Sequence, residues 1–409
     1  MKRTAVSTLL LLGGMALLPS CDFLFGSRED DVVSEIFEEG SIDPELFNEA
    51  VGYVPILPIW EDFTEPVDVY VGYDEMVYVV DAEGLKVLDQ AGVVHRVIPI
   101  QGATDVVQDR RLHTYVIGRA DVDVDGDGDF ENLAAVYHLT GTSSAGTPLI
   151  IDTLLHPFDD DSRAITAFRG ADDEAVHFTG LAVLGDNTLY VARKGPRNSA
   201  SSIARPDNVV LFFDPNGDNI GFANQLSPEG SNLRSTWDMS AIAGFAGPPQ
   251  ALAGFSNSRD FVTCLLGSGA SYRVLWMNRF EDPVQGVFFQ ENANLVLQDP
   301  TRADRFLYEP NRFIQPLDVC IAPDATGYIF VVDGGTDSLY QFTQRGYEGV
   351  NPPANTSITR QVIASFGGEG SGPFQFRDPS GVAYMRNTVY VADRGNNRVI
   401  RYRLSTDLE

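Results

Sequence analysis

Six carboxylates occupy alternate positions in the run Asp121-Val122-Asp123-Val124-Asp125-Gly126-Asp127-Gly128-Asp129-Phe130-Glu131. Alternate acids around turn glycines can wrap one hard cation in oxygens, and calcium is the cation this suits. Left bare, the clustered charges repel one another, so calcium is expected to order the loop through Asp121, Asp123, Asp125, Asp127, Asp129 and Glu131. The competing reading is a solvated acidic hairpin tip. A second group is dispersed in sequence: Asp68, Asp105 and Asp318 each stand just ahead of an apolar, β-prone run. Brought together, they could hold a metal; taken singly, an aspartate beside a turn bonds backbone amides. His177 stands in a comparable place, but the other four histidines are scattered, which disfavours a zinc cluster. There is no Gly-x-Ser-x-Gly elbow and no Cys-x-x-Cys. No catalytic residue is assigned.

The acidic run is similar to the calcium loops of several extracellular families. It departs from the EF-hand pattern, because counting Asp121 as position 1 puts Asn132 where the bidentate glutamate belongs. No helical pattern flanks it either.

The elements that must position these residues repeat along the chain. Six times an aromatic residue precedes valine: Tyr78-Val79, Tyr115-Val116, Tyr190-Val191, Phe261-Val262, Phe330-Val331 and Tyr390-Val391. Nine to twelve residues earlier stand Asp68-Val69, Asp105-Val106, Gly180-Leu181, Ala251-Leu252, Asp318-Val319 and Gly381-Val382. Pro66, Pro249, Pro316 and Pro379 lie two residues before four of these pairs. A third apolar run follows each aromatic, at 85–88, 135–139, 209–213, 274–277, 339–342 and 399–402. A fourth follows in five units, as at 94–100, 149–155 and 361–366; the last unit ends without one. The unassigned segment Tyr53 to Ile59 is placed to supply it and close the ring. Short strands repeated in register predict an all-β chain, a six-bladed β-propeller of four-stranded antiparallel blades. In that architecture the long segments 119–133, 194–208, 156–177, 226–248 and 290–315 emerge on one face, where binding is expected. The main exception, 343–359, emerges on the other.

The last unit is the most specific. Phe366-Gly367-Gly368-Glu369-Gly370 leads to Pro379-Ser380-Gly381-Val382 and then Tyr390-Val391-Ala392-Asp393-Arg394-Gly395-Asn396-Asn397-Arg398. This order resembles an NHL repeat over 361–404, and in part over 314–342. The resemblance implies a six-bladed propeller in which Asp393, Asn397 and Arg398, with Asp333 and Asp337 of the fifth unit and Asp81 of the first, lock the turn between strands. Some six-bladed hydrolases of the gluconolactonase kind hold a metal at the channel mouth, which is what Asp68, Asp105, Asp318 and His177 would have to do here.

The chain has 409 residues, 44% of them hydrophobic, and a formal net charge of −28. It can bury a large core, and its charge argues against nucleic-acid binding. Lys2-Arg3, a short apolar run and Leu18-Pro19-Ser20-Cys21 make residues 1–20 a cleaved export signal. Its end resembles a bacterial lipobox, which implies acylation of Cys21 and a membrane anchor without a spanning helix. Residues 21–50 then form an acidic tether, and 51–409 the propeller. Cys264 and Cys320 could pair in an oxidising compartment, but their apolar strand contexts favour buried free thiols.

These features predict a bacterial cell-envelope protein, lipid-anchored on the periplasmic or surface side, whose propeller binds a protein partner through its long-loop face. Two rivals stand beside it. One is a metal- or quinone-dependent enzyme, of lactonase, esterase or sugar dehydrogenase type, with its site at the channel mouth. The other is a structural subunit of a larger envelope assembly.

Overall fold

A computed structural model describes residues 51–123, 126, 128–156, 171–198, 207–223, 238–248, 258–267, 270–284, 286–352 and 357–408. The signal, Cys21, the tether, Asp125, Asp127 and Ala251-Leu252 lie outside the described residues. Among the described residues, twenty-four strands form six four-stranded antiparallel sheets. Each sheet is one blade. The innermost strands are β2 (Asp68–Val71), β6 (Asp105–Gln108), β10 (His177–Val183), β14 (Asp238–Gly244), β18 (Pro316–Ile321) and β22 (Pro379–Met385). Second strands are β3 (Val77–Asp81), β7 (Thr114–Val122), β11 (Leu189–Lys194), β15 (Phe261–Leu266), β19 (Ile329–Asp333) and β23 (Thr388–Asp393). Third strands are β4 (Gly84–Leu88), β8 (Glu131–Thr140), β12 (Val209–Phe213), β16 (Val274–Asp282), β20 (Ser338–Phe342) and β24 (Arg398–Leu404).

Fourth strands follow directly in five blades: β5 (Val94–Ile98), β9 (Leu149–Leu155), β13 (Asn219–Phe222), β17 (Gly286–Glu291) and β21 (Phe366–Gly367). The sixth blade takes its outer strand from the other end of the domain. There β1 (Tyr53–Trp60) pairs antiparallel with β24, Tyr53 opposite Leu404 and Ile56 opposite Arg401. Ring closure is therefore a set of backbone hydrogen bonds between the two ends of the domain.

The repeated aromatics explain how the blades stack. Tyr78, Tyr115, Tyr190, Phe261, Phe330 and Tyr390 are all buried. Strand residues alternate between faces, so each aromatic fills the gap to one neighbour while the adjacent valine fills the other. Tyr78, Val80 and Leu85 pack on Val106 and Val116 of the second blade. Phe330 stacks on Tyr384 of the sixth, ring centroids 5.4 Å apart. Tyr390 and Ala392 meet Val69 and Val71 of the first, completing the circle.

Two expectations change. The fourth blade does not begin near Ala251-Leu252. Its innermost strand is β14, with Ala241 opposite Cys264, which falls inside the segment 226–248 expected between blades, and β15 begins at Phe261. A proline and a ten-residue offset imitated the repeat, whereas the real strand, Asp238-Met239-Ser240-Ala241-Ile242-Ala243-Gly244, has no proline two residues before its Ser240-Ala241 pair. In the fifth blade, β21 covers only Phe366–Gly367 rather than 361–366. Within that segment Val362 forms an isolated bridge to Val350.

The turn residues form tight clusters. Asp393, fully buried, accepts hydrogen bonds from Arg377 N (2.8 Å), Asn396 Nδ2 (2.8 Å) and Arg398 Nε (2.7 Å). Arg398 also donates to the carbonyls of Ser371, Gly372 and Gln375, which ties down the glycine loop. Asp333 accepts from Ile314 N, Gln315 N and Gly335 N. Asp81 accepts from Thr64 N and Glu83 N, and pairs with Lys86 at 2.8 Å. Asp337 and Asn397 both adopt positive φ and reach the following blade, accepting from Asp378 N (2.6 Å) and Glu65 N (2.8 Å). Replacing Asp393 by alanine strands a buried guanidinium, so Asp393→Ala should lower stability by about 3–5 kcal/mol. Denaturant titration measures this; a loss under about 1 kcal/mol would show the pair to be dispensable.

Candidate functional site

The six innermost strands surround an axial cavity of about 80 Å³, and Asp68, Asp105 and Asp318 all line it. Their side chains do not simply point at one another. Each passes one oxygen sideways to the next blade. Asp68 Oδ2 accepts from Val106 N (3.0 Å), Asp105 Oδ2 from Leu181 N (2.8 Å) and Asp318 Oδ2 from Val382 N (2.7 Å). Asp318 Oδ1 also accepts from Val319 N at 2.7 Å. The other three blades use a hydroxyl residue in the preceding position. Ser240 Oγ donates to Pro316 O and Ser380 Oγ to Pro66 O, both across to the next blade, while Thr179 Oγ1 donates to Ala192 O within its own. Glycine follows Thr179 and Ser380 for steric reasons. A Cβ on Gly381 would come within 2.7 Å of Asp68 Cα, and one on Gly180 within 2.8 Å of Ile242 N.

Asp68 is buried, and Asp105 and Asp318 are half-buried with their open edges on the cavity. Burial raises Asp68 to about 6 despite the amide it accepts from Val106. Burial raises Asp105 well above the carboxylate range, and the charges of Asp68 and Asp318 add to the effect. Asp318 is likewise raised, by burial first and by Asp68 second. The protonated Asp105 carboxyl can then donate to Asp68, a stable way for two acids to share one buried place. Among the described residues, no set of three or more His, Cys, Asp and Glu is arranged to hold a metal ion. Oxygens committed to backbone amides are poorly placed to wrap a cation as well.

His177 does not join this group. It opens β10 opposite Lys194, exposed, with its ring 3.5 Å from Arg119 Nη1. Burial, with Arg119 and Lys194, lowers its pKa. It belongs to the rim. Cys320 lines the cavity, and both it and Cys264 are free thiols. Burial pushes the Cys264 thiol up, which makes it unreactive.

The acidic loop is the tip of the β7–β8 hairpin, so strands flank it. Of its six acids, Asp121, Asp123, Asp129 and Glu131 are described. Asp123 caps the turn, accepting from Gly126 N (2.7 Å) and Gly128 N (3.1 Å), and both glycines adopt positive φ. Asp121 Oδ1 accepts from Asn132 Nδ2 at 2.6 Å. Below the tip, the stem is braced in a way that no sequence motif announced. Arg119 donates to Asn132 Oδ1, Val176 O and Glu174 O, and Asn132 N donates to Glu174 Oε1. Phe130 stands 67% exposed beside the acids.

Residues 376–402 match the family model described as NHL repeat. The last blade carries an NHL repeat. The match spans the end of the glycine loop, β22, β23 and most of β24, including the Asp393–Arg398 pair. No curated protein matches the chain. Solved structures similar to it include two named as auxiliary nutrient binding proteins. The one from Bacteroides ovatus ATCC 8483 is 12% identical with a TM-score of 0.49, over 87% of this chain and 77% of that one. The one from Bacteroides thetaiotaomicron VPI-5482 is 12% identical with a TM-score of 0.48, over 84% and 70%. A virginiamycin B lyase from Staphylococcus aureus is 8% identical with a TM-score of 0.42, over 86% and 99%. At such identities none of them speaks for what this chain binds.

The axial acids make stability depend on pH. Unfolded, they ionise near pH 4; folded, they hold their protons to higher pH, Asp68 to about 6. The native state then binds more protons, so their contribution is full below about pH 4 and is lost as pH rises through the folded pKa values. Asp105→Asn keeps an acceptor for Leu181 N and removes one titration. Its melting temperature should fall less between pH 5 and pH 8 than that of the parent. Equal falls would mean these groups are not raised.

Proposed function

We propose that the protein is a cell-envelope binding module, anchored by an acylated Cys21, whose propeller presents a protein-docking surface on its long-loop face. Calcium is its structural cofactor and orders the 121–131 tip. The observation that carries this reading is the braced hairpin. Arg119, Asn132 and Glu174 hold a long stem firmly against the opening of the third blade. The stem carries an acidic tip and an exposed phenylalanine. Rigid elements bearing an exposed aromatic and a charged rim are how binding scaffolds lower the entropic cost of association.

The enzyme reading is the weaker one. The axial cavity, about 80 Å³, falls short of the roughly 300 Å³ that small-molecule sites begin at. Its aspartates are also occupied in joining blades. The nutrient-binding names of the two Bacteroides structures agree with a binding role only in the broadest sense.

Elemental analysis after dialysis tests the metal. About one calcium per chain is expected in the parent and in Asp318→Ala, and none in Asp123→Ala. No calcium in the parent would remove the ion from this reading, and an ion lost with Asp318 would revive the enzyme. Labelling cells with radioactive palmitate tests the anchor: label should enter the parent and not Cys21→Ala. A photo-crosslinking residue in place of Phe130 should trap one protein species in calcium and none in chelator. Trapping that ignores calcium, or never occurs, would turn attention to an assembly subunit.

A further inference from the structure

Ring closure leaves a second and larger cavity at the opposite face. It measures about 360 Å³ and lies between the fifth and sixth blades. Its walls are the start of β1, the end of β24, the turns Thr326 and Asn387, and Val350-Asn351 of the long far-face segment. In the other blades a continuous chain joins the third strand to the fourth at this level. Here the two are separate ends, tied by Ser405 N donating to Gly52 O (2.8 Å) and Gly52 N to Ser405 Oγ (3.3 Å). The space is a consequence of the closure.

Three tyrosines give it its chemistry. Tyr53, Tyr328 and Tyr384 line the cavity, and each is at least nine-tenths buried. All three rings rest on Phe330, at centroid distances of 6.4, 6.4 and 5.4 Å. Tyr384 Oη is held by Asp324 Oδ2 (2.5 Å) and Asn387 Oδ1 (3.1 Å). Tyr53 Oη has no hydrogen-bond partner among the described residues, although the ring is buried. Asp407 is the charged residue in the lining, half-buried and in no ion pair among the described residues. Arg403, whose charge reaches it, donates instead to Thr388 Oγ1 and does not line the cavity. Thr326, Asn351, Asn387 and Thr406 add polar contacts.

We propose that this cavity is a binding site for a small organic cation, an amine-bearing ligand whose charged nitrogen pairs with Asp407 among the three tyrosines. The volume exceeds the roughly 300 Å³ at which small-ligand sites begin. Electron-rich rings and a carboxylate with no basic neighbour in the lining favour a cation. Hydroxyl and amide groups receive its remaining hydrogens. Burial, opposed by Arg403 and reinforced by Asp324, raises the Asp407 carboxyl; a bound ammonium would reverse that. An anion finds no partner there, and the whole chain carries a net charge of −28. The site is independent of the long-loop face.

The test is calorimetric titration of the full-length protein with choline and with 1,4-diaminobutane, using glucose as the neutral control. At least one amine should bind at one site per chain, and glucose should not. Asp407→Asn should weaken that binding by about tenfold or more. Tyr53→Phe, which keeps the packing and loses the hydroxyl, should weaken it less. Asn351→Arg, which places a fixed cation at the wall, should abolish it; this variant serves if Asp407→Asn lowers the melting temperature. Neither amine binding, glucose binding in their place, or amine binding indifferent to both Asp407→Asn and Asn351→Arg would each overturn the proposal.

Discussion

Everything in this fold depends on how six innermost strands can lie side by side without pairing as a sheet. Strands in one blade satisfy each other's backbone groups, but the inner edge of each blade faces the axis and has no ladder partner. A buried N–H without an acceptor costs on the order of 1–3 kcal/mol. The solution is lateral. Asp68, Asp105 and Asp318 supply acceptors to Val106, Leu181 and Val382 of the neighbouring blade. Ser240 and Ser380 bond across in the reverse sense, to the carbonyls of Pro316 and Pro66. Glycine at 180 and 381 lets the strands come close enough for these short side chains to reach.

That solution has an electrostatic cost. Three acids are drawn into a narrow space because each serves a different seam. Burial raises all three carboxyls, and the charges of neighbouring acids add to this for Asp105 and Asp318. Each carboxyl gives one oxygen to the next blade as a hydrogen-bond acceptor. The three aspartates join neighbouring blades.

Freedom to vary therefore moves outward, to the two faces. On one, the β7–β8 stem is braced by Arg119 and Glu174 and carries the acidic tip. On the other, the closure between β1 and β24 leaves the tyrosine-lined cavity. Both are by-products of a rigid scaffold: long connections where the chain turns between blades, and a gap where the ring is joined without a covalent link. Loops and seams can change chemistry without touching the inter-blade bonds, which is where function on repeat folds resides.

Much of this was legible in the chain alone. The aromatic-valine pairs, their spacing and the NHL-like end dictate blade number, strand order and closure, because strand periodicity and turn chemistry act over a few residues. The unassigned Tyr53 to Ile59 could be placed by counting, since one blade lacked a strand. The fourth blade misled because Pro249 and Ala251-Leu252 imitate the spacing, while the apolar residues of β14, Met239 and Ile242, stand among small ones without a proline ahead. Charge alternation likewise named the 121–131 tip. The tertiary structure alone decided which acids share a space and what their oxygens do. Asp68, Asp105 and Asp318 are far apart in sequence, and their partners belong to the following blade. Arg119 and Glu174, and the meeting of Tyr53, Tyr328, Tyr384 and Asp407, carry no local pattern either. Contacts of that range arise from the closure of the ring, and no window along the chain contains them.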